Sequence, residues 1–134
     1  MTTRSAAKRP PILMIDAEAD TLTNLALARQ ARSPEVSELL LQEIGRAKTH
    51  PANKIPADVV TMHAQVEFVD EANGASRTVE LVYPADADIS AGRISIMTPV
   101  GAGLIGMREG QSILWPDRDG QQRRLSIVKV QRAP

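Results

Sequence analysis

A chain of 134 residues suits one compact domain, or one small domain with an appendage. Sixteen Lys and Arg balance sixteen Asp and Glu, which removes the broad field expected of a protein whose main partner is nucleic acid and favours a protein partner. The absence of cysteine excludes disulfide scaffolds, thiolate metal sites and cysteine nucleophiles, and it fits a reducing cytosol.

In chain order, the basic residues Arg4, Lys8 and Arg9 precede an apolar run, Ile12 to Ile15, that is too short for the core of a signal sequence. No window approaches the roughly 18 apolar residues of a membrane span, so the chain reads as cytoplasmic with residues 1 to 9 as a tail. From Asp16 to Lys48 apolar residues recur at helical spacing. Ile15, Ala19, Leu22, Leu25 and Ala26 form one stripe, and Val36, Leu40, Ile44 and Ala47 form a second, widened by Leu39. Between them Arg32-Ser33-Pro34 supplies a stop and a restart, with Ser33 placed to cap the second helix and Pro34 at its first position. So short a connection predicts antiparallel helices. Pro51 and Pro56 end the second helix and open an extended linker.

Beyond Ile55 the period changes to two. Val66 and Phe68 alternate with Glu67, and Val79, Leu81 and Tyr83 with Thr78 and Glu80, around a turn at Asn73-Gly74. Further strands are predicted at Arg93 to Met97, Ser112 to Trp115 and Leu125 to Val130, the last two joined through Asp119-Gly120. Thr98-Pro99 reads as a capped start of a short helix that Gly106 terminates. The expectation is an α+β chain. Residues 1 to 54 give a tail and a short helical hairpin, and residues 55 to 134 a twisted antiparallel sheet with one short helix.

Gly101-Ala102-Gly103-Leu104-Ile105-Gly106 matches the letters of a dinucleotide fingerprint. The helix after it is cut off at Arg108-Glu109-Gly110, and no room is left for a parallel βαβ unit or an acidic ribose ligand. Packing of small residues against the sheet explains the glycines better. His50 and His63 are too isolated for a metal site, no Ser, His and Asp set resembles a triad, and Asp86 and Asp88 in a turn read as solvated or capping carboxylates. Arg118, Arg123, Arg124, Lys129 and Arg132 form a basic ribbon without the interleaved aromatics that would point to nucleic acid.

Residues 84 to 106, with Pro84, Ala87, Asp88, Ile89, Ala91, Gly92, Ile94, Ser95, Pro99, Leu104, Ile105 and Gly106 matching and Arg93 and Thr98 as close substitutes, resemble the signature of the C-terminal domain of Gre-type transcript cleavage factors of bacterial RNA polymerase. PADVVTMHAQVEF at 56 to 68 and LVYP at 81 to 84 are similar to the Rnk family, the regulators of nucleoside diphosphate kinase, which are short relatives of the Gre factors. The resemblance implies an FKBP-like C-terminal domain, no cofactor, and a monomer binding RNA polymerase at its secondary channel. It also implies an influence on nucleoside diphosphate kinase level, which must be indirect since no nucleotide motif survives scrutiny. Thr98, Pro99, Val100 and Leu104 fall in the part of the signature associated with the polymerase contact. Ala102 stands where Gre factors usually carry Arg, so any contact made by that Arg is lost.

In Gre factors a long hairpin places an acidic pair near the polymerase active site, where it helps hold a second magnesium ion for hydrolysis of backtracked RNA. Here the tip reads Arg29-Gln30-Ala31-Arg32-Ser33, with no carboxylate before Glu35. Arg29 and Arg32 either contact an acidic part of the channel rim or stand as solvated charges. The resemblance thus implies a non-enzymatic regulator that competes with Gre factors; a cleavage-stimulating factor and an FKBP-like module with another partner stay as alternatives. Prolyl isomerase activity is not expected, because only Phe68, Tyr83 and Trp115 are available to wall a pocket.

Overall fold

The computed structural model describes residues 9–71, 73–116 and 119–132. Residues 1 to 8 of the tail predicted over residues 1 to 9, and Arg118 of the basic ribbon, lie outside the described residues, whereas Arg9 is no tail residue, being held on Glu43 at 3.2 Å. The apolar run after Pro11 is a strand, β1 (Leu13–Ile15), that leads directly into α1 (Asp16–Arg29). After the turn, α2 (Pro34–Arg46) returns to β2 (Lys48–His50), which pairs with β1 in parallel, Met14 opposite Thr49. The helical hairpin is thus the crossover between two parallel strands, and β1 and β2 clasp its base. This clasp was not expected from the sequence, because each strand is only three residues long and offers too little alternation to register as a period. It also shortens the second helix, which ends at Arg46 and not at Lys48.

At about 1.5 Å per residue, the 14 and 13 residues of the two helices make an arm about 20 Å long. Pro34 occupies the first turn of α2 as expected, but Ser33 makes no side-chain capping bond. Its φ of −136° and ψ of 64° depart from the extended geometry in which a cap hydroxyl reaches forward. The turn is closed instead by backbone bonds, the Ser33 and Arg32 amides donating to the Arg29 carbonyl at 2.8 and 3.1 Å.

The body is a five-stranded sheet in the order β5-β4-β3-β7-β6, built from β3 (Gln65–Asp70), β4 (Ala75–Val82), β5 (Arg93–Ser95), β6 (Ser112–Pro116) and β7 (Gln122–Gln131). Three of its four pairings are antiparallel; β4 and β5 are parallel. A register shift between Glu67 and Phe68 marks a bulge where β3 meets β7. One short helix, α3 (Pro99–Leu104), packs against the sheet at β6 and against α2. This is the expected α+β arrangement of a helical hairpin followed by a curled, mainly antiparallel sheet with one short helix.

A single buried cluster runs through both parts. Leu22, Ala26 and Leu40 of the hairpin join Phe68, Leu81, Leu104 and Trp115 of the body, so the arm lies along the body and shares its core. The stretch between Pro51 and Gln65 is not a simple linker either. Val59, Val60, Met62 and Ala64 are buried in it, Val59 bridges to Arg108, and the Val60 amide donates to the Met107 carbonyl at 2.8 Å.

On α2 the buried face differs from the predicted stripe: Ser37, Leu40 and Glu43 are inside, while Val36, Leu39 and Ile44 are half-buried. Glu43, 1% exposed, is held by Arg46 at 2.6 Å and Arg9 at 3.2 Å, and Arg9 also stacks over Trp115 at 5.1 Å from the ring centroid. A carboxylate is tolerated there because two guanidiniums neutralise it and satisfy its oxygens.

Candidate partner-docking face

The start of α3 is fixed by a dense set of local bonds. The Thr98 hydroxyl donates to the Ser95 carbonyl at 2.7 Å and accepts from the Gly101 amide at 3.1 Å, which is the capping role expected of it. Pro99 follows at the first helical position, where no amide hydrogen is required. Its carbonyl accepts a hydrogen bond from the indole N–H of Trp115. Gly101 and Gly103 let this turn approach the sheet. A β-carbon at Gly101 would lie 2.2 Å from the Ser95 carbonyl oxygen, and one at Gly103 would lie 2.9 Å from the Trp115 ring. Gly106 has a φ of +83° and sits against Ile12 and Leu13 of the clasp. The glycines of the apparent fingerprint are therefore accounted for by close packing and one left-handed turn.

The result is a ridge, Thr98-Pro99, with a groove on each side. One groove, of about 410 Å³, runs along β4 and β5 and is lined by Val79, Ile89, Ile94 and Val100, with Arg77, Arg93 and Arg123 among its walls. The other, of about 760 Å³, lies between the ridge and the first turns of α2, with Val36, Leu39, Met97 and Pro116 at its apolar walls and Glu35 and Glu38 beside them. Thr98, Pro99 and Val100 are half-buried and accessible from these grooves. Leu104, grouped with them in the sequence reading, is 0% exposed. It supports the ridge from inside and offers no surface to a partner.

The first turn of α2 shares a groove with Thr98 and Pro99, so the tip of the arm and the ridge lie at the same end of the molecule. Arg32 at the tip is exposed and Arg29 half-buried; neither lines a groove. Val36 and Leu39, half-buried at the second groove, belong to the stripe that the sequence assigns to the core, so their spacing alone did not mark them as groove residues.

Phe68 and Trp115 are buried to 1%, Tyr83 is half-buried, and none of the three walls either groove. His50 is exposed on β2. His63 is exposed with a φ of 68° and sits edge-on to Tyr83 at 5.7 Å. Nearby, Glu18 accepts from the Met62 amide at 3.2 Å, tying α1 to the body. Burial pushes its carboxyl above the usual range, while that bond and the charges of His63 and Arg132 oppose the shift. Tyr83 is raised by burial and by Glu18. Asp88 accepts from the Ser90 hydroxyl at 2.7 Å, which is the main reason its carboxyl lies below the ordinary value. It is a turn carboxylate, and among the described residues no group of three His, Asp or Glu is placed to hold a metal ion.

The basic ribbon is dispersed along β7: Arg123 pairs with Asp70 at 2.6 Å, Arg124 lies 3.9 Å from Glu71, and Arg132 donates to the Ile55 carbonyl at 2.8 Å. Among the described residues no helix is long and apolar enough to cross a membrane.

Residues 55–132 match the family model described as the C-terminal part of the transcription elongation factors GreA and GreB. The chain is 33% identical to the regulator of nucleoside diphosphate kinase of Escherichia coli over 94% of this chain and 93% of that protein. It is 32% identical to the transcription elongation factor GreA of Azorhizobium caulinodans over 82% of this chain and 75% of that one. Among solved structures, a prokaryotic transcription elongation factor GreA/GreB from Nitrosomonas europaea superposes with a TM-score of 0.70 at 35% identity, covering 92% of this chain and 99% of the other.

Proposed function

The chain belongs to the GreA/GreB transcription elongation factor family, and from that premise we propose that it is a cytoplasmic, monomeric regulator that docks at the secondary channel of RNA polymerase and competes with Gre factors without stimulating transcript cleavage. The ridge at Thr98, Pro99 and Val100 makes the contact, with Leu104 holding it from behind. The protein has no chemistry of its own and requires no cofactor. It acts by occupying a site that other channel factors need, so its effect follows concentration and relative affinity. Any influence on nucleoside diphosphate kinase passes through transcription.

The observation that carries this reading is the tip of the arm. The turn between α1 and α2 holds Arg29, Gln30, Ala31 and Arg32, and the nearest carboxylates beyond it, Glu35 and Glu38 on α2, line the groove between the arm and the ridge. An arm about 20 Å long with a basic turn at its point presents no carboxylate there for a second magnesium ion, which needs carboxylate oxygens.

Purified chain, core RNA polymerase and stalled, backtracked complexes test the reading. The expected result is retention on polymerase at micromolar concentration, no shortening of backtracked RNA, and reduced cleavage when a Gre factor is titrated against the chain. Shortening of the RNA by this protein alone overturns it in favour of a cleavage factor. Failure of core polymerase to retain the chain points to a module with a different partner.

A further inference from the structure

We propose that Arg9 is a positioning residue for the Thr98-Pro99 ridge: it holds the indole of Trp115, and the indole in turn fixes the Pro99 carbonyl. This rests on the reading that the ridge is the polymerase contact, and it adds to that contact a residue that lines neither groove.

Trp115 is the joint between the inside of the molecule and its surface. The residue is 1% exposed, yet its indole N–H donates to the carbonyl of Pro99, which lines both grooves. A displacement of the ring is therefore passed to a residue that a partner meets directly. Gly103 of α3 approaches the ring so closely that a β-carbon there would stand 2.9 Å from it, so no slack exists toward α3. Arg9 lies over the ring with its guanidinium carbon 5.1 Å from the centroid, a distance at which a cation is attracted to an indole face. With α3 against the ring and Arg9 over it, the indole is held at two points besides its own strand, β6.

The guanidinium of Arg9 is itself fixed in direction. Arg46 engages Oε1 of the buried Glu43 through two nitrogens, at 3.0 and 2.6 Å, which leaves Oε2 to accept from Arg9 at 3.2 Å. The same Arg9 nitrogen reaches the Gln42 carboxamide oxygen at 3.4 Å, and Arg46 also donates to the Pro10 carbonyl, holding the backbone beside Arg9. A planar guanidinium tied to two residues of α2 bears on the ring as a brace, with little of the freedom of a surface cation. Its side chain is 33% exposed, so removing it opens no sealed core. Loss of Arg9 should loosen the ridge while every groove residue keeps its atoms.

The test measures affinity for core RNA polymerase, with thermal melts, for the parent, R9A, W115F, R9A/W115F and P99D. R9A is expected to stay folded and to bind about threefold to tenfold more weakly. W115F keeps a ring but loses the N–H, and should weaken binding at least as much. The double variant should bind as W115F does, because the N–H through which Arg9 acts is already gone. Amide hydrogen exchange gives a second reading that does not depend on W115F. In R9A the Gly101 and Ala102 amides, which bond to Thr98, should exchange faster than in the parent while those of β3 keep their rates. If W115F does not fold, these rates decide alone. A lowered melt with unchanged affinity, an R9A loss that adds in full to that of W115F, or exchange quickened equally in α3 and β3 makes Arg9 a stabilising residue only; the inference is then overturned and the docking reading stands. If polymerase does not retain the parent chain, or P99D binds as the parent does, the docking reading has failed and this inference with it.

Discussion

Adding one methyl group at Gly101 separates the packing account of the glycines from any ligand-binding account. In Gly101→Ala the new carbon would sit 2.2 Å from the Ser95 carbonyl oxygen and 3.0 Å from the Ile96 α-carbon. Both are backbone atoms of the segment that leads from β5 into α3, so no side-chain rotation relieves the clash. The helix would have to retreat by about 1 Å to restore ordinary contact distances, and its other face is pinned by the close approach of Gly103 to Trp115. Overpacking a dense core costs about 1–3 kcal/mol and occasionally more. A clash against backbone on one side, with no slack on the other, belongs at the upper end, about 3 kcal/mol.

Gly45 is the internal control. It lies near the end of α2, is exposed, and has nothing within 4 Å of the added carbon, so Gly45→Ala should stabilise the chain by about 0.5 kcal/mol through helix propensity. Thermal unfolding followed by far-ultraviolet circular dichroism and by the fluorescence of the single tryptophan, Trp115, measures both. At about 4 °C per kcal/mol for a chain of this size, the midpoints should fall by roughly 12 °C for Gly101→Ala and rise by about 2 °C for Gly45→Ala. A Gly101→Ala protein within about 0.5 kcal/mol of the parent would refute the close-packing argument, as would a loss at Gly45 of similar size.

Glu43→Ala should cost about 2 kcal/mol, because it leaves Arg9 and Arg46 without their shared partner while their partial exposure softens the loss; Arg9→Ala should cost less, since Arg46 remains on the carboxylate, and paired thermal melts give the ranking. At Glu18 burial holds the folded-state carboxyl above its ordinary 4.5, so the stability linked to its protonated form is present below that value and lost as pH rises through the folded pKa. Glu18→Gln keeps an oxygen for the Met62 amide and should be more stable than the parent at pH 7, with the gap closing as pH falls through the raised folded pKa toward 4.5; a gap that widens on acidification contradicts the assignment. Thr98→Ala removes the cap on α3 and should cost about 1 kcal/mol, with Thr98→Ser recovering most of it, as read from denaturant midpoints.

The parts of the fold that were legible in the sequence are those with a repeating physical signal. The stripe of Ala19, Leu22 and Ala26, the alternation through Val66 and Phe68, and Thr98-Pro99 as a helix start all describe the structure, because period and cap chemistry are local. What was missed depends on partners distant in the chain. β1 and β2 acquire their conformation from each other across the whole hairpin. Ser33 carries the right side chain for a cap but the wrong backbone angles. Glu43 reads as surface until Arg9 and Arg46 are seen to enclose it, and Leu104 looks available to a partner until the sheet is laid over it. Of the candidate site, the ridge was readable from its residues, whereas the grooves on either side required the arm to be folded against the body.

The two strands of the clasp have a consequence for how such an arm could be changed over time. Parallel pairing sets Ile15, where the chain leaves for the hairpin, opposite His50, and Lys48, where it returns, opposite Leu13, so the two points stand on neighbouring strands two residues out of step, about 8 Å apart. Ile15 and Lys48 therefore act as a single doorway through which a helical excursion leaves and re-enters. Excursions of other lengths exchanged at that doorway by recombination would have to keep the residues, Leu22, Ala26 and Leu40, that fill the core shared with the sheet, so reach can change only beyond the part of the arm that the body holds.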